Sequence, residues 1–176
     1  MATILAIDPG FRRTGWVVVD VHGDGIVPVE YGLIETQKAT NKVLVAVDDW
    51  ECCRIITREL IAVACIHEAR CIVVEAPAGS KSSRAAKCMA LAFACCAAVA
   101  EVYERPAVLV SADRAKKAAT GRKNASKDDV AAAVAHLLPP DWGDPWPRSK
   151  REHITDAAAL VLGAWESDVV RMVRAM

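Results

Sequence analysis

Two short apolar segments, each ending on an acid, constrain this chain more than any other feature. The first runs from Ile4 to Ile7 and ends on Asp8, and the second covers 71–74 and ends on Glu75. A segment that is apolar at every position is typical of a strand covered on both faces by helices. If the two strands are parallel neighbours, both acids emerge at one sheet edge, where open α/β sheets commonly bind ligands.

Asp8 taken alone has two interpretations. Asp followed by Pro9 and Gly10 is an ordinary turn signal. Burying an ionised carboxylate without a partner is costly, so Asp8 otherwise lies at the solvent end of its strand or contacts a cation. The rest of the chain has to decide between these readings.

The remaining strand pattern predicts an α/β fold with a five-stranded mixed sheet flanked by helices. Segments 15–20 and 26–34, separated by the turn residues His22 to Gly25, extend the first strand into an antiparallel meander. The parallel strand over 71–74 and a fifth strand over 108–110 complete the sheet. One face of the third strand is expected to carry Val27, Val29, Tyr31 and Leu33.

Helical spacing predicts a first long helix over 43–69. A second helix begins at Ser82 or Ser83 and runs to Tyr103; it is apolar nearly all round, so we expect one side on the sheet and the other on another surface, such as a second copy. Three further helices are predicted over 111–117, over 126–138 from a Ser126–Asp129 capping box, and over 152–173. The core face of the first helix is expected to comprise Val47, Trp50, Ile55, Leu60 or Ile61, Ala64 and Cys65.

The length favours a single domain over 1–176, which carries 22 basic and 22 acidic residues. The seven cysteines lack metal-type spacing and are interpreted as small core residues in a reducing compartment. No signal peptide is found, and no apolar run is judged to approach the roughly 20 residues that a bilayer requires. We therefore expect a soluble protein of the cytoplasm or another reducing intracellular compartment, with no membrane partner.

The basic residues are unevenly distributed, which allows either a solvated surface or a face that binds nucleic acid. Smaller groups are Arg12 with Arg13, then Lys81, Arg84 and Lys87, then Arg148, Lys150 and Arg151. The densest group is Lys116, Lys117, Arg122, Lys123 and Lys127. A loop over 141–151 carries Trp142 and Trp146, which either stack on bases or anchor the loop to the core.

The last helix begins with His153 and Asp156, whose spacing places both side chains on one helix face. Together with Asp8 and Glu75 they form a set of three carboxylates and one imidazole, which suits Mg²⁺ or Mn²⁺ better than zinc. Two such ions about 3.5 to 4 Å apart can activate water and stabilise both oxygens of a phosphodiester under attack. The combination predicts a metal-dependent nuclease.

Four segments, in order and in register, resemble the RuvC family of Holliday junction resolvases, within the RNase H-like superfamily. They are Ile4 to Gly10 with Thr14-Gly15, 73–75, 115–121 followed by 125–127, and 153–160. The resemblance implies an RNase H-like fold. It also implies a homodimer that binds four-way DNA junctions and nicks two strands symmetrically, leaving 5′-phosphate and 3′-hydroxyl ends, in recombination and repair.

The resemblance also implies roles for individual residues. Asp8, Glu75 and Asp156 would bind metal, with two Mg²⁺ ions per site and Mn²⁺ as a substitute. His153 stands where many relatives carry Asp, and acts as a metal ligand or as a base. Lys116 would be catalytic, since it and Lys127 match lysines near the DNA backbone. The expected DNA contacts are Arg12, Arg13, Lys81, Arg84, Lys116, Lys117, Arg122, Lys123 and Lys127.

Two departures from the family leave alternatives open. Family members carry an aromatic residue soon after the second acid, whereas this chain has Ala76-Pro77-Ala78-Gly79, and its net charge is zero rather than basic. A viral or phage-type nuclease for branched DNA in general is one alternative, and a RuvC-like RNA-processing nuclease is another. The third is a junction-binding protein that does not cut, against which three converging acids argue because they repel one another without a metal. Actin-like ATPases need two such domains, and this chain has room for one.

Overall fold

A computed structural model describes residues 1–39, 43–80, 82–140, 142 and 146–176 of the chain. Its centre is a five-stranded mixed sheet in the order β3-β2-β1-β4-β5. Strands β1 to β3 are antiparallel neighbours, whereas β4 and β5 run parallel to β1. The strand bounds are Ala2–Asp8 (β1), Arg13–His22 (β2), Gly25–Glu35 (β3), Cys71–Glu75 (β4) and Ala107–Val110 (β5). The predicted fold class is confirmed.

Helices cover both faces of this sheet. Alternate residues of β1 point to opposite faces, so Ile4 and Ala6 join a core against α5, while Leu5 and Ile7 join a core against α1 and α2. The helices are Val45–Ile66 (α1), Ser83–Val102 (α2), Ala112–Thr120 (α3), Lys127–Val134 (α4), Arg148–Ala164 (α5) and Asp168–Arg174 (α6), with a 3₁₀ turn, Ala135–Leu137, after α4. The predicted caps at Ser82, Ser111 and the Ser126–Asp129 capping box are present.

The predicted face of β3 is wrong because of a β-bulge. Val18 pairs with Glu30 and Val19 pairs with Pro28, so Val29 is an extra residue without a partner in the ladder. One extra residue reverses the alternation of side chains along the strand. Tyr31 therefore shares a face with Ile26 rather than with Val27, whose residue surface is 50% exposed.

The core-facing side of α1 also differs from the prediction. Trp50 is 73% exposed, whereas Asp49 is only 4% exposed and faces α2. Asp49 can be buried because Arg84 and Lys87 of α2 contact its carboxylate at 2.6 and 2.8 Å. The buried side of α1 is Asp49, Cys52, Ile56, Leu60 and Ala64.

The long final helix that the sequence predicts is two helices. The helix begins directly after Pro147 and ends at Ala164. Ser167 then accepts a hydrogen bond from the backbone N–H of Val170 and caps α6. The predicted hairpin turn between β2 and β3 is present, and Gly23 lies in it with a φ of +55°.

α2 corrects the expectation that no apolar run approaches the length of a bilayer span. By length and composition it is the one helix in the described residues that could cross a membrane, with a mean hydropathy of 1.7 over an 18-residue window. Its core-facing residues are Ala92, Cys95, Cys96 and Val99. All seven cysteines are free, and Cys65, interpreted from sequence as a core residue, is exposed.

Candidate active site

Asp8 and Glu75 lie at neighbouring strand ends. Ile7 of β1 is directly opposite Val74 of the parallel strand β4, so the next residue of each strand reaches the same edge. Burial, together with the charges of Asp8 and Asp156, raises the pKa of Glu75 to about 7. The two acids that the sequence placed at one edge are therefore close enough to repel each other.

A glycine on β2 allows α5 to approach this edge. Gly15 is paired with Asp8 in the sheet, and a Cβ atom added to Gly15 would stand 2.3 Å from the backbone oxygen of His153. Only a residue without a side chain permits this contact. The same pairing thus places His153 above Asp8, and α5 carries Asp156 one turn further along.

His153 and Asp8 are joined by a hydrogen bond. The distance between His153 Nδ1 and Asp8 Oδ2 is 2.8 Å. An ionised carboxylate can only accept, so the ring donates from Nδ1. This hydrogen bond raises the pKa of His153 against the opposing effect of burial.

Lys127 forms the second ion pair of the site. It is the first residue of α4, and its Nζ donates to Asp156 Oδ2. Burial raises the pKa of Asp156, and the hydrogen bond from Lys127 counteracts part of that rise. Lys127 was expected at the DNA backbone; its contact with Asp156 was not predicted, because the spacing of the two residues along the chain carries no signal for it.

The donor set suits a hard divalent cation. Three carboxylates and one imidazole match the ligand preferences of Mg²⁺ and Mn²⁺. Burial is the main cause of the raised pKa of Glu75, and the negative charges of Asp8 and Asp156 add to it; a cation at this edge would offset both effects. Within the described ranges no three of these side chains are grouped closely enough to hold a metal ion as they stand; Asp8 contacts His153, and Asp156 contacts Lys127.

The other predicted site residues are spread around this edge. Lys116 is half-buried on α3, which packs against α5, and Lys117 and Lys123 are exposed. In the part of the chain that the structure describes, these three lysines make no ion pair. Lys81 lies outside the described residues.

Besides Lys127, four of the predicted DNA contacts are paired with acids. Arg12 contacts Asp48 at 2.5 Å, Arg13 contacts Glu35 at 3.4 Å, Arg84 contacts Asp49, and Arg122 contacts Asp129 at 3.1 Å. Their charges are therefore partly neutralised within the protein. Their role in binding DNA stays a prediction.

A polar groove of about 910 Å³ lies on the β3 side of His153. Its basic residues are Arg12, Arg13, Lys38 and Lys150, and its acid is Glu35. Lys150 contacts Glu35 at 2.5 Å and lowers the pKa of that carboxyl. Lys38 was not predicted as a site residue, because a single lysine in a loop has no distinguishing sequence pattern.

Comparison with known proteins identifies the family. The sequence model described as crossover junction endodeoxyribonuclease RuvC matches residues 4–163. The RuvC protein of Trichlorobacter lovleyi is 30% identical over 135 residues, which is 77% of this chain and 72% of that protein. The RuvC protein of Afipia carboxidovorans is 50% identical over 36 residues, a match that spans 20% of this chain and only 21% of that relative.

Among solved structures, T. thermophilus RuvC in complex with a Holliday junction substrate aligns over 99% of this chain and 98% of its own, with a TM-score of 0.77. At 22% identity this likeness concerns the fold. The family match covers strands β2 to β5, most of β1, helices α1 to α4, all but the last residue of α5, and all four acidic or imidazole positions described above. The chain belongs to the RuvC family of crossover junction endodeoxyribonucleases.

Proposed function

We propose that this protein is a metal-dependent DNA endonuclease that resolves four-way junctions by hydrolysing one phosphodiester bond in each of two strands. The observation that carries the proposal is the gathering of Asp8, Glu75, His153 and Asp156 at one sheet edge, in a chain of the RuvC family. Such a site suits phosphodiester hydrolysis because it combines metal ligands with groups that hold protons.

Asp8, Glu75 and Asp156, with His153, would hold the metal, which we propose to be two Mg²⁺ ions, or Mn²⁺ in their place. Bound there, divalent ions lower the pKa of water and neutralise charge on the phosphate. The raised pKa of Glu75, about 7, supports this assignment, since a neighbouring cation would stabilise the ionised form of this carboxyl.

The protein's own residues orient one another's side chains and hold protons at the site. Asp8 accepts a hydrogen bond from Nδ1 of His153 and so fixes the orientation of the ring, and the same hydrogen bond raises the pKa of the imidazole. Lys127 orients the carboxylate of Asp156. Lys116, on the helix next to α5, is proposed to stabilise negative charge on the phosphate oxygens.

Basic residues that can contact DNA phosphates lie on two sides of the site. On one side lies the groove of Arg13, Lys38 and Lys150. On the other side, Lys117 and Lys123 are exposed and free of ion pairs within the described chain. Phosphate contacts of this type set the affinity and make it depend on salt.

We also propose a homodimer, because two symmetric cuts need two sites. The exposed side of α2 supports it: beyond its four core-facing residues the helix presents mainly alanines, and its composition is strongly apolar. Sedimentation of the protein with and without junction DNA tests this, and a monomer under both conditions at micromolar concentration would contradict it.

The proposed function is tested by cleavage of labelled four-way junctions, flaps and plain duplex in Mg²⁺, Mn²⁺ or EDTA, with Glu75→Gln as the control. We expect paired, symmetric nicks in the junction that depend on metal and vanish in the control while binding persists. Junction binding without cutting in any metal would overturn the proposal.

A broader activity on branched DNA is a second candidate. The residues that follow β4, Ala76 to Gly79, include no aromatic side chain to stack on bases at a junction centre. Cuts of similar rate in flaps and junctions would favour this candidate.

A further inference from the structure

A second cavity opens between α4 and α5, beside the candidate active site. Its volume is about 420 Å³, which is within the range of small-molecule sites. Lys127 belongs to both places: it lines the cavity and donates to Asp156. Whatever occupies the cavity therefore lies next to a proposed metal ligand.

The walls of the cavity are largely apolar. Alanines of α4, including Ala131 and Ala132, form one side, and Trp142 forms part of another. Trp142 and Trp146 are both partly buried against the core, and Trp146 also makes an edge-on contact with Tyr31, with the ring centroids 6.3 Å apart. Of the two, Trp142 supplies an aromatic surface to the cavity.

The rim of the cavity is charged. Arg148 contacts Asp128 of α4 at 2.9 Å and Glu152 of its own helix at 3.5 Å, which ties α4 to α5. Arg151 also lines the cavity and makes no ion pair in the described part of the chain. Together with Lys127, the two arginines bring the positive charges at this rim to three, and the carboxylates of Asp128 and Glu152 are the two negative charges.

We propose that this cavity receives one unstacked nucleotide of the bound DNA strand, close to the cleaved phosphodiester. The base stacks on Trp142 between the alanine wall and α5, and Arg151 contacts its phosphate. The inference rests on the proposed function, which supplies the DNA strand at Asp156.

A nucleotide fits these observations better than an apolar peptide side chain. An aromatic surface facing small residues suits a planar ring, and every base has a face that stacks. A free arginine at the rim suits a phosphate, which it contacts with two parallel donors. The link through Lys127 to Asp156 also places the occupant beside a backbone that is being cut.

Photocrosslinking tests the inference without cleavage. Glu75→Gln protein is bound to a four-way junction, and separately to a single-stranded oligonucleotide, with 5-iododeoxyuridine at one position at a time around the cut. Crosslinked peptides are then identified by mass spectrometry. We expect one position to crosslink to the peptide that contains Trp142.

Two variants in the same background fill or empty the cavity. Ala132→Phe adds a ring at an exposed position of the wall, and Trp142→Ala removes the stacking surface; each is expected to lower the yield of that crosslink about tenfold or more. Ala62→Phe, the same change at an exposed position of α1 on the opposite face of the sheet, is the matched control and is expected to leave the yield unchanged.

The outcomes separate the inference from the proposed function. No crosslink to the Trp142 peptide at any position, or a yield that Ala132→Phe leaves unchanged, overturns the inference even if the wild type cuts junctions. A crosslink that depends on Ala132 and Trp142, in a protein whose wild type cuts no junction, supports the cavity and overturns the proposed function.

Discussion

The backbone oxygen of His153 lies 2.3 Å from the point that a Cβ atom on Gly15 would occupy. The His153 oxygen belongs to the main chain, and the backbone fixes the position of a Cβ atom, so a side chain at position 15 cannot be accommodated by a rotamer change. Because Gly15 is also the sheet partner of Asp8, the contact sets the distance between strand and helix at the site itself.

Gly15→Ala is therefore expected to displace α5 from β2 and lower junction cleavage by at least about 10²-fold, since small displacements of catalytic groups have effects of that order. The melting temperature is expected to fall as well, as in other overpacked cores. Gly25→Ala, where the nearest atom is 3.3 Å away at the far hairpin, is the control. Equal cleavage by both variants would show that the contact does not position His153.

Glu75→Gln is expected to stabilise the metal-free protein while it abolishes cleavage. The folded-state pKa of Glu75, about 7, is above the usual value for a glutamate, so the folded protein binds this proton more tightly than the unfolded chain. Stability from this group is complete below about pH 4 and is lost as the pH rises towards 7. The variant removes that loss, which is on the order of 3 kcal/mol.

Urea unfolding in EDTA at pH 5 and pH 7.5 measures this difference. Glu101→Gln, on the exposed side of α2, serves as the control. Identical pH dependence in Glu75→Gln and wild type would mean that Glu75 is not destabilised by its neighbours.

Lys127→Gln is expected to slow cleavage by about 10² to 10³-fold, because the hydrogen bond that orients Asp156 and opposes the rise of its pKa is lost. Lys123 lies in the same region and makes no ion pair among the described residues, so Lys123→Gln removes only a surface charge. This variant should weaken DNA binding in a salt-dependent manner. Single-turnover rates at saturating protein separate the two effects. Equal rates for both variants would place Lys127 on the DNA backbone only.

Asp49→Ala is expected to lower the free energy of unfolding by about 1.5 to 3 kcal/mol at neutral pH, since it leaves Arg84 and Lys87 without their acceptor. These hydrogen bonds hold the pKa of Asp49 well below its usual range. The contribution is therefore present above about pH 4 and declines as the pH falls below it.

Denaturation at pH 7 and pH 3 tests this sign, with Asp168→Asn as the control because that side chain is fully exposed. A difference between Asp49→Ala and wild type that grows towards pH 3 would contradict it.

The proximity of Asp8 and Glu75 was predictable because two apolar strands that end on acids and run parallel leave one arrangement. His153 and Asp156 were predictable as a pair, since helical spacing relates them directly. Their contact with Asp8 depends on Gly15, whose role emerges only when α5 lies on β2. Lys127 reaches Asp156 from another helix, and no local pattern encodes that distance.

The incorrect predictions of strand and helix faces have similar causes. The bulge at Val29 interrupts an alternation that appears regular in the sequence. The burial of Asp49 depends on two cations 35 and 38 positions later in the chain, so a hydropathy pattern excludes it from the core. The break after α5, in contrast, had a local signal, because Ser167 followed by Asp168 is a common helix start.

α5 packs against all five strands and against α3 and α4. His153 and Asp156 therefore cannot drift independently of the scaffold, and an amino-acid change beneath them alters chemistry and stability together. Changes in which DNA is accepted, without loss of stability, are therefore expected to arise in segments outside the packed layers, such as 37–39 and 76–80. Two proteins with the same proposed metal-binding residues can thus differ in substrate through exchanges confined to those loops.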